Sequence, residues 1–293
     1  MKSHLLPLSI LLIASILLAP FVIASQVEDP SSQTTVLYDA RNGDMPDGQG
    51  FVFLALGLQA NQSIANNVTT LNTISQREEQ AGYFIEESIL LDRSAGYEVQ
   101  FTIQIQEESH SSRHRAGFSV IVLSDDLKGI ELGFWTDKIW AQEGGVDNLF
   151  TRAEETIFDT TSDMISYHLK IFEDTYTLMA GDNEILTGQL RDYTAFDEVI
   201  DPYETPNFLF FGDNTSSSGS TVDITYIALK TDATINVTPI SSPTSSVPLT
   251  PEPALMATAT PSATHSSRLV TSPQSPRASN WWRQCTSGYP PKQ

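Results

Sequence analysis

Apolar and polar positions alternate most regularly between Tyr97 and Gln106. There Tyr97, Val99, Phe101, Ile103 and Ile105 interleave with Glu98, Gln100, Thr102, Gln104 and Gln106. Side chains of a strand point to opposite faces with a period of two, so this segment predicts a strand with one face buried. A polar connector from Glu107 to Arg115 follows. Ala116 to Ser124 is then nearly apolar on both faces and predicts a central strand covered above and below. Asn207 to Phe211 has the same two-sided character. Between them, Ile130–Trp135 and Ile139–Gln142 predict a hairpin around Thr136-Asp137-Lys138.

The β pattern extends along most of the chain. Val36–Tyr38, Phe51–Leu56, Thr69–Thr73 and Gly82–Leu91 read as strands, separated by polar turns. Leu149–Thr151 and Thr156–Phe158 read as short ones. Ile165–Ile171 and Tyr176–Ala180 form a hairpin turning at Glu173-Asp174, and Ile185–Leu190 and Val222–Tyr226 continue the series. Arg191 to Thr205 reads as a long acidic loop. No capped window of helical period stands out. Short strands at this spacing predict an all-β fold, an antiparallel two-sheet β-sandwich forming one domain over residues 35–231.

The ends have a different character. A basic start at Lys2, an apolar run from Leu5 to Ala24 and small residues at Ala24-Ser25 predict a secretory signal peptide over residues 1–25, with an uncleaved membrane anchor as the alternative. Both place the remainder outside the cytoplasm, secreted or at the cell surface. Residues 237–293 read as a disordered tail, since 24 of the 41 residues from Pro239 to Ser279 are Pro, Ser or Thr. The single cysteine, Cys285, lies in this tail and excludes an internal disulfide. Residues 25–239 carry 11 Lys/Arg against 35 Asp/Glu. So acidic a surface repels phosphate backbones, which argues against a nucleic-acid partner and suits neutral partners such as sugars, or divalent cations.

Arg115-Ala116-Gly117-Phe118-Ser119-Val120-Ile121-Val122-Leu123-Ser124, Gly129–Trp135, Ile139–Gln142, Tyr167–Ala180 and Pro206–Asp213 together resemble the concanavalin A-like lectin/glucanase superfamily, including its laminin-G-like members. The likeness spans roughly residues 35–230 and implies a jelly-roll sandwich. Val247-Pro248-Leu249-Thr250-Pro251-Glu252-Pro253 resembles the start of a Pro-Glu-Pro sorting tail of secreted bacterial proteins. Such tails continue into an apolar helix, whereas Ala254 onward is too polar to cross a bilayer. The superfamily holds sugar binders, glycosidases and protein-binding modules, so it does not name a function.

Its glycosidases place two or three carboxylates on one strand, as Glu-x-Asp-x-x-Glu. No such strand occurs here: Glu131 stands alone between Ile130 and Leu132, with Asp137 in the adjoining turn, and reads best as a solvated strand carboxylate. His110, Arg113, His114 and Arg115 form a basic cluster suited either to an acidic sugar or to pairing with Glu107, Glu108 and Asp125. Trp135 and Trp140 are either sugar-stacking faces or core. The candidate ligand-binding residues are therefore His110, Arg113, Arg115, Glu131, Trp135 and Trp140. The loops holding Asp39, Asp44 and Asp47, together with Asp213, offer oxygen ligands for a structural calcium ion, although the same residue types are ordinary turn formers. The reading that joins these observations is a binding module for carbohydrate or an extracellular matrix or surface component. The alternatives are a glycoside hydrolase of the same superfamily and an adhesive or structural surface protein without a small ligand.

Overall fold

The computed structural model describes residues 32–232 apart from 58–59, 75–78, 87 and 199; the signal-peptide and tail expectations lie outside these residues. In chain order the strands are β1 (Ser32–Asp39), β2 (Val52–Ala55), β3 (Asn61–Ala65), β4 (Val68–Asn72), β5 (Ala81–Ile85), β6 (Tyr97–His110), β7 (Ser119–Leu123), β8 (Gly129–Phe134), β9 (Lys138–Gln142), β10 (Arg152–Ile157), β11 (Ile165–Phe172), β12 (Thr175–Ala180), β13 (Asn183–Gln189), β14 (Phe208–Asp213) and β15 (Ser218–Asp232). They form two antiparallel sheets. One has eight strands in the order β13-β12-β11-β6-β15-β4-β3, with β1 also on β15; the other has seven, β10-β9-β8-β7-β14-β5-β2.

The period-two argument sets which side chains meet between the layers. Along β6, Tyr97, Val99, Phe101, Ile103 and Ile105 are buried while the intervening residues are not. From the facing sheet, Val120, Val122, Ile130, Leu132, Leu209 and Phe211 join the same cluster. Phe101 stands at its centre, stacked on Tyr167 at 5.2 Å between ring centroids and edge-on to Phe211 at 5.5 Å and Phe134 at 6.1 Å. Such pairs add to the burial of apolar area that holds a sandwich together.

Several expectations are corrected by pairing. The polar residues Glu107–His110 are strand, because Ser218–Thr221 of β15 supply hydrogen-bonding partners that composition does not reveal. Asn61–Ala65 is an additional edge strand, joined to β4 through Asn66-Asn67, both left-handed (φ 53° and 61°) as a two-residue hairpin turn requires. The fourth predicted strand stops at Ile85. Leu149–Thr151 is a turn following a four-residue helix, Gly145–Asn148, and β10 alone occupies this edge.

Replacing Phe101 by alanine is expected to lower unfolding stability by about 3–5 kcal/mol, the usual cost of emptying a large aromatic site in a core. Equilibrium denaturation of the two proteins checks this.

Candidate functional site

The seven-stranded sheet is apolar on its outer face as well. Residues that alternate with the inter-sheet core, Phe84, Ile121, Leu123, Phe208 and Phe210, form a second buried cluster. Its cover is the segment between β13 and β14, which lays Tyr193, Phe196, Ile200 and Tyr203 over the sheet, with Phe150 beside them. Two tyrosines tie this strap down. The Tyr193 hydroxyl donates to the Gln142 carbonyl at 2.8 Å and accepts the Glu131 backbone N–H at 3.0 Å. The Tyr203 hydroxyl donates to the Glu131 carboxylate at 2.5 Å.

Glu131 is therefore not the solvated carboxylate its sequence context suggests. It is fully buried, and it points to the outer face, opposite Ile121 in register. Besides Tyr203 it accepts the Asn214 Nδ2–H at 3.0 Å and faces Arg115 Nη1 at 3.4 Å. A buried carboxylate demands such partners, since desolvation without them costs several kcal/mol, on the order of what a whole domain has to spare. Burial and the adjacent Glu131 charge push the Tyr203 hydroxyl well above its ordinary value, which keeps it a donor. Arg115 in turn lies over the Phe150 ring at 4.5 Å.

Between the strap and the sheet lies a cavity of about 520 Å³. Phe208, Phe210, Ile121, Phe150, Phe196, Ile200 and Tyr203 form its walls, with Leu54 and Leu56 at the β2 edge. Gly82 belongs to its floor because the Phe210 ring lies across it: a Cβ there would stand 2.5 Å from two ring atoms. Register places Asp213 opposite Ala81, and Gln80, Asp213, Asn214, Thr215 and Ser216 line the cavity at this end of the sheet, whereas Phe208, opposite Leu123, lies toward the other. Leu54, opposite Gly82, and Leu56, whose N–H donates to the Gln80 carbonyl, set aliphatic side chains beside these polar groups, and Glu198 of the strap also lines the cavity.

The basic cluster is divided. Arg115 enters the cavity wall, but His110 pairs with Glu108 at 2.9 Å and stacks on Trp135 at 3.6 Å. Arg113 Nε donates to His114 Nε2 at 2.9 Å. Burial, then Arg113 and Arg152, hold the His114 imidazole below its ordinary value. Arg152 sits 3.9 Å from the Trp135 centroid and 4.1 Å from that of Trp140. A guanidinium and an imidazole so close to one ring cannot share a face, so both faces of Trp135 are covered. Trp140 is fully buried. Neither indole offers an open face for stacking, which is the core reading of these two residues.

The four aspartates do not converge. Asp39 caps the 3-10 turn Ala40–Asn42 and pairs with Arg41 at 2.5 Å. Asp47 accepts from Gln62 at 3.5 Å, and the Asp44 carbonyl accepts from Gln49. Asp213 is buried, accepts from Thr73 Oγ1 at 2.8 Å and from the Thr215 N–H at 3.0 Å, and burial pushes its carboxyl well above the usual carboxylate range. Among the described residues no group of three or more His, Cys, Asp or Glu could hold a metal ion, so these side chains do not fit a calcium site. The residues that sequence reasoning missed are those of the strap and of the outer face. Their signal was an aromatic residue every few positions in an otherwise acidic loop.

No family model matches the chain, and no curated protein matches it. Solved structures similar to it include a conserved carbohydrate esterase from the Shiga toxin-encoding bacteriophage phi24B, at 10% identity over 68% of this chain and 100% of that one, with a TM-score of 0.47. The Ca2+/Man3GlcNAc-bound exoplasmic/lumenal domain of VIP36 is similar at 11% identity over 66% and 86%, with a TM-score of 0.40. A protein of unknown function with a galectin-like fold from Bacillus subtilis is similar at 9% identity over 66% and 94%, with a TM-score of 0.43. Likenesses this distant carry no argument about function, which rests on the site itself.

Two outcomes test the strap. Tyr203→Phe removes the shortest donor to a buried carboxylate and is expected to cost about 1–3 kcal/mol in denaturant unfolding, an effect of leaving an acceptor unpaired. The second concerns Asp201, which caps the turn Pro202–Glu204 by accepting the Tyr203 N–H at 2.8 Å. Burial, with Glu204 and Asp197 nearby, pushes its carboxyl up to about 6. A raised carboxylate value means its stability contribution is full in acid and is lost as pH rises through that value. Asp201→Asn keeps the accepting oxygen and removes the charge. The variant is therefore expected to melt above the parent at pH 7.5 and level with it at pH 4, as followed by circular dichroism.

Proposed function

We propose that this protein is a secreted or surface-displayed binding module of concanavalin A-like type, non-catalytic, whose ligand is carbohydrate held in the cavity beneath the strap. The observation that carries the reading is the cavity's composition: aromatic and aliphatic walls together with hydroxyl, amide and carboxyl groups. Sugars present apolar C–H faces and a rim of hydroxyls, and a concave site with a few convergent polar groups suits them. Among these polar groups, Arg115 Nη1 and Asn214 Oδ1 carry no hydrogen bond in the structure.

A binding role is supported over hydrolysis by the state of the acids. Cleavage of a glycosidic bond by the common route takes two carboxyl groups about 5–10 Å apart, free to exchange protons with substrate and water. Of the cavity's acids Asp213 is buried and engaged by Thr73 and Thr215, and Glu131, behind the lining, is held by Tyr203 and Asn214, so exposed Glu198 is left without a second free carboxyl among the described lining residues. The acidic surroundings favour an uncharged glycan over an anionic one.

The test is a glycan array with the full chain, followed by calorimetric titration of the glycans retained. Binding of at least one neutral glycan is expected. Phe196, half-buried on the strap, is a wall residue that can be truncated without opening the inter-sheet core. Phe196→Ala should weaken that binding about tenfold to a hundredfold, the worth of an aromatic contact of about 1.5–3 kcal/mol, with melting little changed. An array without any retained glycan, or an affinity indifferent to Phe196→Ala, overturns the proposal.

A further inference from the structure

The charges around the cavity do not balance. Arg115, the one cationic side chain lining it among the described residues, is matched by Glu131 at 3.4 Å. Of the carboxyl groups in the lining, Asp213 is buried and held by Thr73 and Thr215, and burial pushes it well above the usual carboxylate range, which disfavours its charged form. Glu198 is different: it is exposed and forms no hydrogen bond or ion pair among the described residues. It belongs to a strap that carries Asp192, Asp197, Glu198, Asp201 and Glu204 with no Lys or Arg between them. Burial first, then Glu204 and Asp197, raise the Asp201 carboxyl, so these charges are felt along the strap. One unmatched anion thus stands in the cavity lining, in a field of its own sign that draws cations toward it. The lining gives that carboxylate a shaped setting. Phe196, half-buried, stands two residues before Glu198, so the two side chains leave the backbone at most about 7 Å apart. An aromatic face attracts a cation as well as the C–H face of a sugar. Gln80, Thr215 and Ser216 add amide and hydroxyl groups, and the buried Asn214 Oδ1 is an acceptor without a hydrogen bond.

We propose that the glycan recognised here is an amino sugar with a free amine, whose ammonium group meets Glu198 while its ring lies against Phe196 and its hydroxyls meet Gln80, Asn214 and Ser216. The inference rests on the carbohydrate reading of the cavity and specifies its ligand class. Neutral sugars meet the same walls and bind more weakly, because nothing in them answers the carboxylate. Anionic sugars are disfavoured, since Arg115 is already matched and the strap repels them.

Calorimetric titration of the full chain tests it with three matched saccharides at mildly acidic pH, where a ring amine is an ammonium ion: glucosamine oligomers, the same oligomers after N-acetylation, and glucose oligomers. The amine should bind about fivefold to twentyfold tighter than either neutral oligomer, at a single site per chain, as a partly exposed ion pair and a cation–aromatic contact together give. Added salt should shrink that ratio by screening the pair. Glu198→Gln should reduce it to about twofold or less. Glu204→Gln, which changes the charge of the strap by the same amount outside the cavity lining, should keep most of it. Both exchanges are isosteric and on exposed side chains, and melting followed by circular dichroism checks that the fold is kept. Equal affinities for amine and neutral oligomers, or a ratio that Glu204→Gln removes as fully as Glu198→Gln, overturn the amino-sugar inference while leaving the carbohydrate reading standing. Absence of binding by all three oligomers also overturns it, and only a glycan array that retains nothing overturns the carbohydrate reading with it.

Discussion

A sheet that is apolar on both faces has to be covered twice. The first cover is the opposite sheet, and it produces the core around Phe101. The second must come from elsewhere in the chain, because Phe84, Ile121, Phe208 and Phe210 on the outer face would otherwise meet water. The segment between β13 and β14 meets that demand and, by arching over the sheet instead of lying flat, leaves the cavity. Everything proposed about this protein follows from that second covering. The buried Glu131 belongs to the same logic: it is the polar anchor to which an otherwise irregular segment is fixed, through Tyr203 and beside Arg115.

The sandwich was legible because period two is a local property. Val99, Phe101 and Ile103 declare their face within one strand, and the two-sided apolarity of Ala116–Ser124 and Asn207–Phe211 marked the sheet interior and even implied a second layer. Strand limits were legible only where composition and partner agreed. Glu107–His110 look like a connector because their strand character is lent by β15, more than a hundred residues later in the chain, and no local window contains that information.

The site was mostly not legible. Arg115 and Glu131 were singled out as separate features, yet what joins them is a fold-level contact through register and the strap. Trp135 and Trp140 drew attention because indoles bind sugars, but identity says nothing of exposure, and one is buried while the other is enclosed between His110 and Arg152. The aspartates of the early loop read as cation ligands because turn chemistry and calcium chemistry use the same residues. In the other direction, Tyr193, Phe196 and Tyr203 lacked any regular period, and a strap that crosses a sheet at an angle imposes none.

The position of β15 has a bearing on how the molecule is assembled. It runs alongside β6 over most of its length, while its other edge is shared, first by β4 and then by β1. Three strands made early in synthesis thus have an unfilled neighbour until the ribosome has passed residue 232. Contacts that span so much sequence close slowly, and the half-made sheet meanwhile exposes open backbone edges. Such a chain completes its larger layer only after translation of the domain has finished, and until then it depends on whatever holds nascent chains apart.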